Sequence, residues 1–266
     1  MNPGITNILY ALGVLGVLGA LFGLLLGIAS RIFHVDVDER IEKITEALPG
    51  ANCGGCGYAG CSGYAEAIVK DGAATNLCTS GGQKAAKAIA GIMGVEAAEV
   101  VPMIAFVHCS GGNNADKKYQ YTGLTDCFSV SNSTGGGPLT CKYGCLGYGS
   151  CVAACKFDAI HIVNGVAKVD RNKCTGCSMC ARTCPKHIIE MVPVTQHILV
   201  PCLNQDKGGV IRKFCMSGCI GCRACERNCP NGAITVVNNV AHVDTTKCKH
   251  CMTCVLNCPR KLVKDI

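Results

Sequence analysis

At 266 residues, with 49% hydrophobic side chains but only 5% aromatic ones and no tryptophan, the chain is not built around a large conventional core. Its 24 cysteines are too many, and the chain too long, for a small secreted disulfide scaffold, so metal ligation is the expected substitute. The formal charge of +7 treats every cysteine as neutral and so does not by itself point to nucleic acid.

In chain order, the run from Ile5 to Ser30 has no charged residue and is long enough for one helix to cross the roughly 30 Å hydrocarbon core of a bilayer. A signal peptide is the competing reading, but no lysine or arginine precedes the run, which is also longer than a usual h-region. Arg31, Arg40 and Lys43 follow it. By the positive-inside tendency they place a single-pass anchor in the cytoplasmic (inner) membrane with the C-terminal bulk in the cytoplasm. Gly19, Gly23 and Gly27 recur every fourth residue, a face that another membrane helix can approach. With no charge in the span, ion movement is assigned to other subunits.

Asp36 to Leu48 reads as an amphipathic helix, with Ile41, Ile44 and Leu48 on one side. The loop NCGGCGYAGC follows at residues 52–61, and Cys78 comes after a helical stretch from Gly63 to Lys70. Thiolates at Cys53, Cys56, Cys61 and Cys78, with glycines that let the backbone wrap closely, suit an iron-sulfur cluster; the lysine and hydroxyl of a phosphate-binding loop are absent. Lys84 to Ala98 is helical in pattern, and SNSTGGG at 131–137 reads as a flexible joint.

The C-terminal half carries three C-x-x-C-x-x-C-x-x-x-C-P runs: Cys174, Cys177, Cys180, Cys184; Cys219, Cys222, Cys225, Cys229; and Cys248, Cys251, Cys254, Cys258. Three thiolates two residues apart converge on one 4Fe-4S cluster, while the fourth, before proline, turns to a neighbouring one, which makes the chain an electron carrier. An internal duplication at an offset of 74 residues sets Cys155 to Cys174 over Cys229 to Cys248, matching Ala159 with Ala233, Ile160 with Ile234 and Asp170 with Asp244. Alternating apolar residues around Asn164-Gly165 and Asn238-Asn239 predict a β-hairpin in each copy, with short helices carrying the C-terminal cysteines. The fold class is therefore α+β: an N-terminal transmembrane helix, a small helical iron-sulfur domain, then two tandem two-cluster ferredoxin-like modules. The expected boundaries are an anchor at 1–34, the glycine-rich cluster domain at 35–100, and a connecting segment with Cys109 and Cys127 at 101–140. The first module follows at 141–192, a connector with Cys202 at 193–214, and the second module at 215–266.

The same offset matches Cys141, Cys145, Cys151 and Cys155 with Cys215, Cys219, Cys225 and Cys229, but Tyr148 stands opposite Cys222. The simplest repair places one cluster on Cys141, Cys145, Cys151 and Cys184, and another on Cys155, Cys174, Cys177 and Cys180. The second module is expected to hold its clusters on Cys219, Cys222, Cys225 and Cys258, and on Cys229, Cys248, Cys251 and Cys254. Cys109, Cys127, Cys202 and Cys215 remain, enough for a sixth cluster between the modules; four free buried thiols are the plainer reading, and partitions exchanging Cys141 with Cys215 are open. Each cluster carries a charge of about −2, so six would bring the chain to about −5. Residues 138–266 hold 17 Lys+Arg against 7 Asp+Glu, so the positive excess lies where the thiolates are densest. Arg182, Lys186, Arg212, Lys213, Arg223 and Arg227 could still face an acidic redox partner. No nucleotide fingerprint, flavin attachment sequence or catalytic constellation is visible, and His108 and His250 are read as solvated or packed.

The order of apolar helix, NCGGCGYAGC loop with Cys78, and ferredoxin runs resembles the B component of the Rnf ion-translocating electron-transport complex, in its longer polyferredoxin form with two ferredoxin modules. That resemblance implies a subunit of a ferredoxin:NAD oxidoreductase (a translocase). It would take electrons from reduced ferredoxin and pass them along 4Fe-4S clusters, five or six of them, to the other Rnf-type membrane and peripheral subunits. It implies no flavin or NAD on this chain and no bond chemistry of its own. A polyferredoxin subunit of another membrane enzyme, such as a hydrogenase, shares this chemistry; a zinc-stabilised nucleic-acid-binding module is the alternative of another class.

Overall fold

The computed structural model describes residues 3–32 and 38–265. Helix α1 (Pro3–Ile32) contains the expected apolar run. Leu12–Arg31 has a mean hydropathy of 2.4 and no side chain covered by the rest of the protein, so its apolar surface needs a lipid or protein environment. Residues 1–2 and 33–34 of the expected anchor, and Asp36 and Val37 of the amphipathic helix, lie outside the described residues.

Helix α2 (Glu39–Ala47) begins where the Asp38 carboxylate accepts from the Arg40 amide at 2.9 Å. It packs on α3 (Gly60–Asp71) and α4 (Gly82–Met93), which end at left-handed Gly72 and Gly94. Ile44, Tyr64, Ile68 and Ile89 are fully buried at the centre of these helices.

The rest is two structural copies. In each, a leading strand pairs antiparallel with the strand that ends the copy, and a hairpin lies between. β1 (Met103–Val107) is the first leading strand, and short helices α5 (Cys127–Ser131) and α6 (Ser150–Ala153) follow it. The hairpin is β2 (Ile160–Val163) with β3 (Val166–Val169). Helix α7 (Met179–Thr183) and β4 (Ile189–Pro193), the partner of β1, complete the copy. The second copy runs from β5 (Ile198–Leu199) through α8 (Gly208–Phe214) and α9 (Ala224–Arg227) to the hairpin β6 (Ile234–Val237) and β7 (Val240–Val243). It closes with α10 (Thr253–Leu256) and β8 (Lys264–Asp265), which pairs with β5. Strands β1 and β5 thus lie in segments expected to be connectors.

The hairpins repeat at the offset of 74: Ile160 opposes Val169 as Ile234 opposes Val243. Their two-residue turns place Asn164, Gly165, Asn238 and Asn239 all at positive φ, as a type I′ turn demands. Four-residue strands are marginal alone. Their apolar faces pack on cysteines as well as on aliphatic side chains: Ile160, Val166 and Ala167 with Cys145, Cys151, Cys180, Val107 and Ile188, and Ile234, Val240 and Ala241 with Cys225, Cys254, Val200 and Leu262.

The stretch expected to be a flexible joint is instead tied down. The Tyr119 hydroxyl lies 3.0 Å from Ser133 Oγ and donates to Thr134 O at 2.8 Å, and Gly137 sits so close to Leu146 that a Cβ there would come within 2.7 Å of it. Its glycines serve a close turn rather than a hinge.

Candidate functional site

The glycine-rich loop and the start of α3 gather Cys53, Cys56 and Cys61, and the turn before α4 adds Cys78, whose ionisation burial opposes first and the three other thiols also oppose. Gly60, at φ 94°, brings the chain onto Asn52, whose Oδ1 accepts from the Cys61 amide at 2.8 Å. The Gly81 amide donates to Cys78 Sγ at 3.3 Å. Behind the loop the Tyr64 hydroxyl donates to Ala74 O at 2.7 Å and accepts from the Leu77 amide at 3.0 Å, with burial pushing its pKa up to about 12. Replacing Tyr64 with Phe leaves both backbone groups unpaired next to Cys78, and the expected result is a loss of about 1–3 kcal/mol, measured by denaturant unfolding of residues 38–100.

This loop lies directly against the first copy. Arg182 donates to Gly54 O at 3.0 Å and also to Cys53 O, Thr79 Oγ1 donates to Gly176 O at 3.0 Å, and Lys156 reaches Ala51 O at 2.7 Å. Gly55 approaches Cys177 so closely that an added Cβ would stand 2.9 Å from its carbonyl oxygen. Burial pushes the Cys177 thiol up, and Cys53 is near enough to add to the shift along with Cys155 and Cys174. Cys180 faces the same Cys155, Cys174 and Cys177. In the second copy Cys219, Cys222, Cys225 and Cys258 line one cavity, and Cys254 faces Cys248 and Cys229. Cys222 and Cys251 are the exposed thiols of the chain.

The other eight cysteines are placed differently from the sequence expectation. Burial pushes the Cys151 thiol up, and Cys145, Cys127, Cys184 and Cys180 are near enough to add to the shift; Cys145 feels Cys109 and Cys127 in the same way. Cys141 instead lines a small cavity together with Cys109, Cys202 and Cys215. Cys127 is brought to Cys145 and Cys151, not to that cavity. The signal available in the sequence was Tyr148 opposite Cys222, which marks a missing thiol but not its source.

The thiols suit a multi-iron centre. Burial pushes Cys145, Cys180 and Cys225 up to about 11 and Cys151 and Cys202 up to about 12, so as bare thiolates they would need a compensating positive charge. Backbone amides are aimed at sulfur throughout: Ala159 to Cys155 at 3.4 Å, Ala233 to Cys229 at 3.3 Å and Leu262 to Cys258 at 3.4 Å. Among the described residues no three His, Cys, Asp or Glu side chains are gathered as a single ion requires.

Comparison with known proteins agrees with this chemistry. A family model for an Fe-S cluster matches residues 48–80, and the 4Fe-4S dicluster domain matches residues 173–234 and 218–263. The chain is 46% identical over 258 residues to the B component of the Na(+)-translocating ferredoxin:NAD(+) oxidoreductase complex of Acetobacterium woodii, covering 96% of this chain and 77% of the relative. It is 40% identical to the B component of the Proton-translocating ferredoxin:NAD(+) oxidoreductase complex of Clostridium ljungdahlii, over 98% of this chain and 93% of that one. The B component of the Ion-translocating oxidoreductase complex of Methanosarcina acetivorans is 40% identical, over 96% and 97% of the two chains. The chain belongs to the family of the Rnf B component. As a member of that family it is a membrane-associated electron-transfer subunit of an ion-translocating oxidoreductase. The first dicluster match runs in sequence order across the boundary between the copies, whereas each hairpin lies within one copy, between Cys155 and Cys174 and between Cys229 and Cys248. His108, beside Cys109, is packed: its ring lies edge-on to Phe106, and its nitrogens face Val200 O at 3.0 Å and Glu190 at 2.6 Å.

Proposed function

We propose that this Rnf component is a membrane-anchored electron wire. It accepts electrons from reduced ferredoxin at its C-terminal copy and delivers them through 4Fe-4S clusters to the membrane part of a ferredoxin:NAD oxidoreductase. The anchor at 1–34 holds the chain to the inner membrane, with the cluster-bearing bulk in the cytoplasm. The cluster domain at 35–100 is the delivery end, and the modules at 141–192 and 215–266 are two-cluster ferredoxin units joined through 101–140 and 193–214.

The observation that carries this reading is the contact between the Cys53 loop and the Cys177 loop, which joins the membrane-side thiols to the ferredoxin-like copies. Four ligand sets follow: Cys53, Cys56, Cys61 and Cys78; Cys155, Cys174, Cys177 and Cys180; Cys219, Cys222, Cys225 and Cys258; and Cys229, Cys248, Cys251 and Cys254. The eight cysteines at 109, 127, 141, 145, 151, 184, 202 and 215 form the middle of the path. A cluster so ligated takes up and releases one electron at a time. The protein holds the thiolates at fixed separations, aims amides at their sulfurs and keeps most of them from water. Exposed Cys222 and Cys251, flanked by Arg223 and Lys249, suit docking of an acidic electron donor.

The test is anaerobic purification from membranes, iron and sulfide analysis, and electron paramagnetic resonance during titration with reduced ferredoxin. About 20 to 24 irons per chain, with clusters reduced by ferredoxin, is the expected result. Zinc without iron, or clusters that ferredoxin does not reduce, would refute the reading.

A further inference from the structure

We propose that Cys109, Cys141, Cys202 and Cys215 hold a 4Fe-4S cluster on the boundary between the two copies, and that Cys127 completes the set with Cys145, Cys151 and Cys184. This rests on the multi-cluster reading and divides the eight cysteines that it left together.

The first argument is an approximate two-fold relation. At the offset of 74, Cys141 corresponds to Cys215 and Cys145 to Cys219. Cys109 and Cys202 each follow a leading strand, and they face one another across an antiparallel bridge. Their own amides make equivalent bonds, to Val107 O at 2.8 Å and to Val200 O at 2.9 Å. The Cys145 amide donates to Cys109 Sγ at 3.4 Å, and its counterpart, the Cys219 amide, donates to Cys202 Sγ at 3.3 Å. Each copy therefore offers the same pair of cysteines to a shared centre. The four line one cavity; Cys127 does not. Asn204, buried at 2% exposure, donates from Nδ2 to Cys141 Sγ at 3.1 Å, and the Gly111 amide donates to Cys109 Sγ at 3.4 Å. Donors aimed at sulfur are what a charged cluster needs around it.

The second argument is the replacement of a lost thiol. Opposite Cys222 the first copy has Tyr148, whose ring sits edge-on to Tyr121 with centroids 5.8 Å apart. The segment bearing Tyr121 continues into α5, whose first residue is Cys127. The Asp126 carboxylate caps that helix by accepting from Phe128 and Ser129 amides, both at 2.9 Å. The Cys127 amide donates at 2.8 Å to Ser150 Oγ, at the start of the helix that carries Cys151. The connecting segment thus delivers a buried thiol to the site where the duplicated loop lacks one, and Cys141 is left to the shared cavity. The shared centre then touches both neighbours, through the Cys145 amide on one side and the Cys219 amide on the other, and makes the path through the two copies continuous.

Serine variants of single cysteines, which keep a donor atom and favour retention of the fold, provide the test. On the holoprotein, Cys141→Ser and Cys202→Ser should perturb the same paramagnetic signal, and Cys127→Ser and Cys184→Ser should share a different one. Where serine fails to hold the cluster, each variant loses about four irons; Cys141→Ser with Cys202→Ser loses no more than either alone, while Cys127→Ser with Cys202→Ser loses about eight. Asn204→Ala leaves every thiol in place and should lower the midpoint potential of the signal that Cys202→Ser perturbs. Cys127 pairing with Cys202, and Cys141 with Cys184, would overturn the assignment. So would variants of Cys109 and Cys202 that leave iron content and every signal unchanged. Both outcomes leave the electron-wire reading standing if ferredoxin still reduces the remaining clusters; failure of that reduction in the unsubstituted protein is what refutes the wire.

Discussion

Removal of iron from the anaerobically purified protein should unfold both C-terminal copies while leaving much of the helical domain at 38–93 folded. The two copies bury hairpin faces in small cores in which cysteines take a large share: four-residue strands close over Cys145, Cys151 and Cys180 beside Val107 and Ile188 in one, and over Cys225 and Cys254 beside Val200 and Leu262 in the other. A structural metal site in a small domain contributes on the order of 10 kcal/mol. Net domain stability is only about 5–15 kcal/mol, so losing several such sites exceeds what the remaining contacts supply. The helices α2, α3 and α4 meet instead through Ile44, Tyr64, Ile68 and Ile89, a core of large side chains with Cys56, Cys61 and Cys78 packed against it and only partly buried. Hydrogen exchange after chelation checks this. Protection at Ile160–Val169 and Ile234–Val243 should vanish, while protection in α3 and α4 should persist in part. Equal loss everywhere would show that the helical domain also needs its cluster to fold.

Gly55→Val should interrupt electron passage into the membrane-side site with little effect on the rest of the chain. An added Cβ would stand 2.9 Å from the Cys177 carbonyl oxygen, a backbone atom that cannot swing aside. Overpacking of this kind costs about 1–3 kcal/mol, enough to lift the loop from its seat. Arg182→Ala acts on the same contact from the other side by deleting donors to Cys53 O and Gly54 O. In rapid-freeze paramagnetic resonance, the clusters of the two copies should be reduced by ferredoxin at their normal rate. The signal of the Cys53, Cys56, Cys61 and Cys78 site should lag, by up to about tenfold, because a loss of about 1.4 kcal/mol shifts the docking equilibrium constant tenfold. Thr79→Val, which removes only the bond to Gly176 O at 3.0 Å, should produce a smaller lag in the same signal. An unchanged rate in the Gly55 variant would show that electrons leave the first copy by another route.

Much of the architecture was legible because its signals are local. A charge-free run of membrane-spanning length reads as a helix without any tertiary information, and α1 contains it. The hairpins follow from period-two apolar residues around Asn-Gly and Asn-Asn, since a type I′ turn requires positive φ at both central positions. The C-x-x-C spacing likewise brings Cys174, Cys177 and Cys180 together within one loop. Strands β1 and β5 were not legible, because a short strand is defined by its partner, and each partner lies at the far end of its copy. The glycines near 135 gave a composition signal for a joint, but composition does not reveal that Tyr119 and Leu146 pack against that turn.

The sequence by itself determined that the cysteine runs are spaced for cluster ligation, that the cysteine loops are duplicated, and that the first copy lacks one thiol at Tyr148. Only the tertiary structure brings the distant cysteines into two groups. Cys127 and Cys141 are equally available by composition, and spacing encodes ligands only when one loop carries them all. The capped helix seats Cys127 on Ser150, and the antiparallel meeting of Cys109 and Cys202 gathers Cys141 and Cys215 from two copies into one cavity.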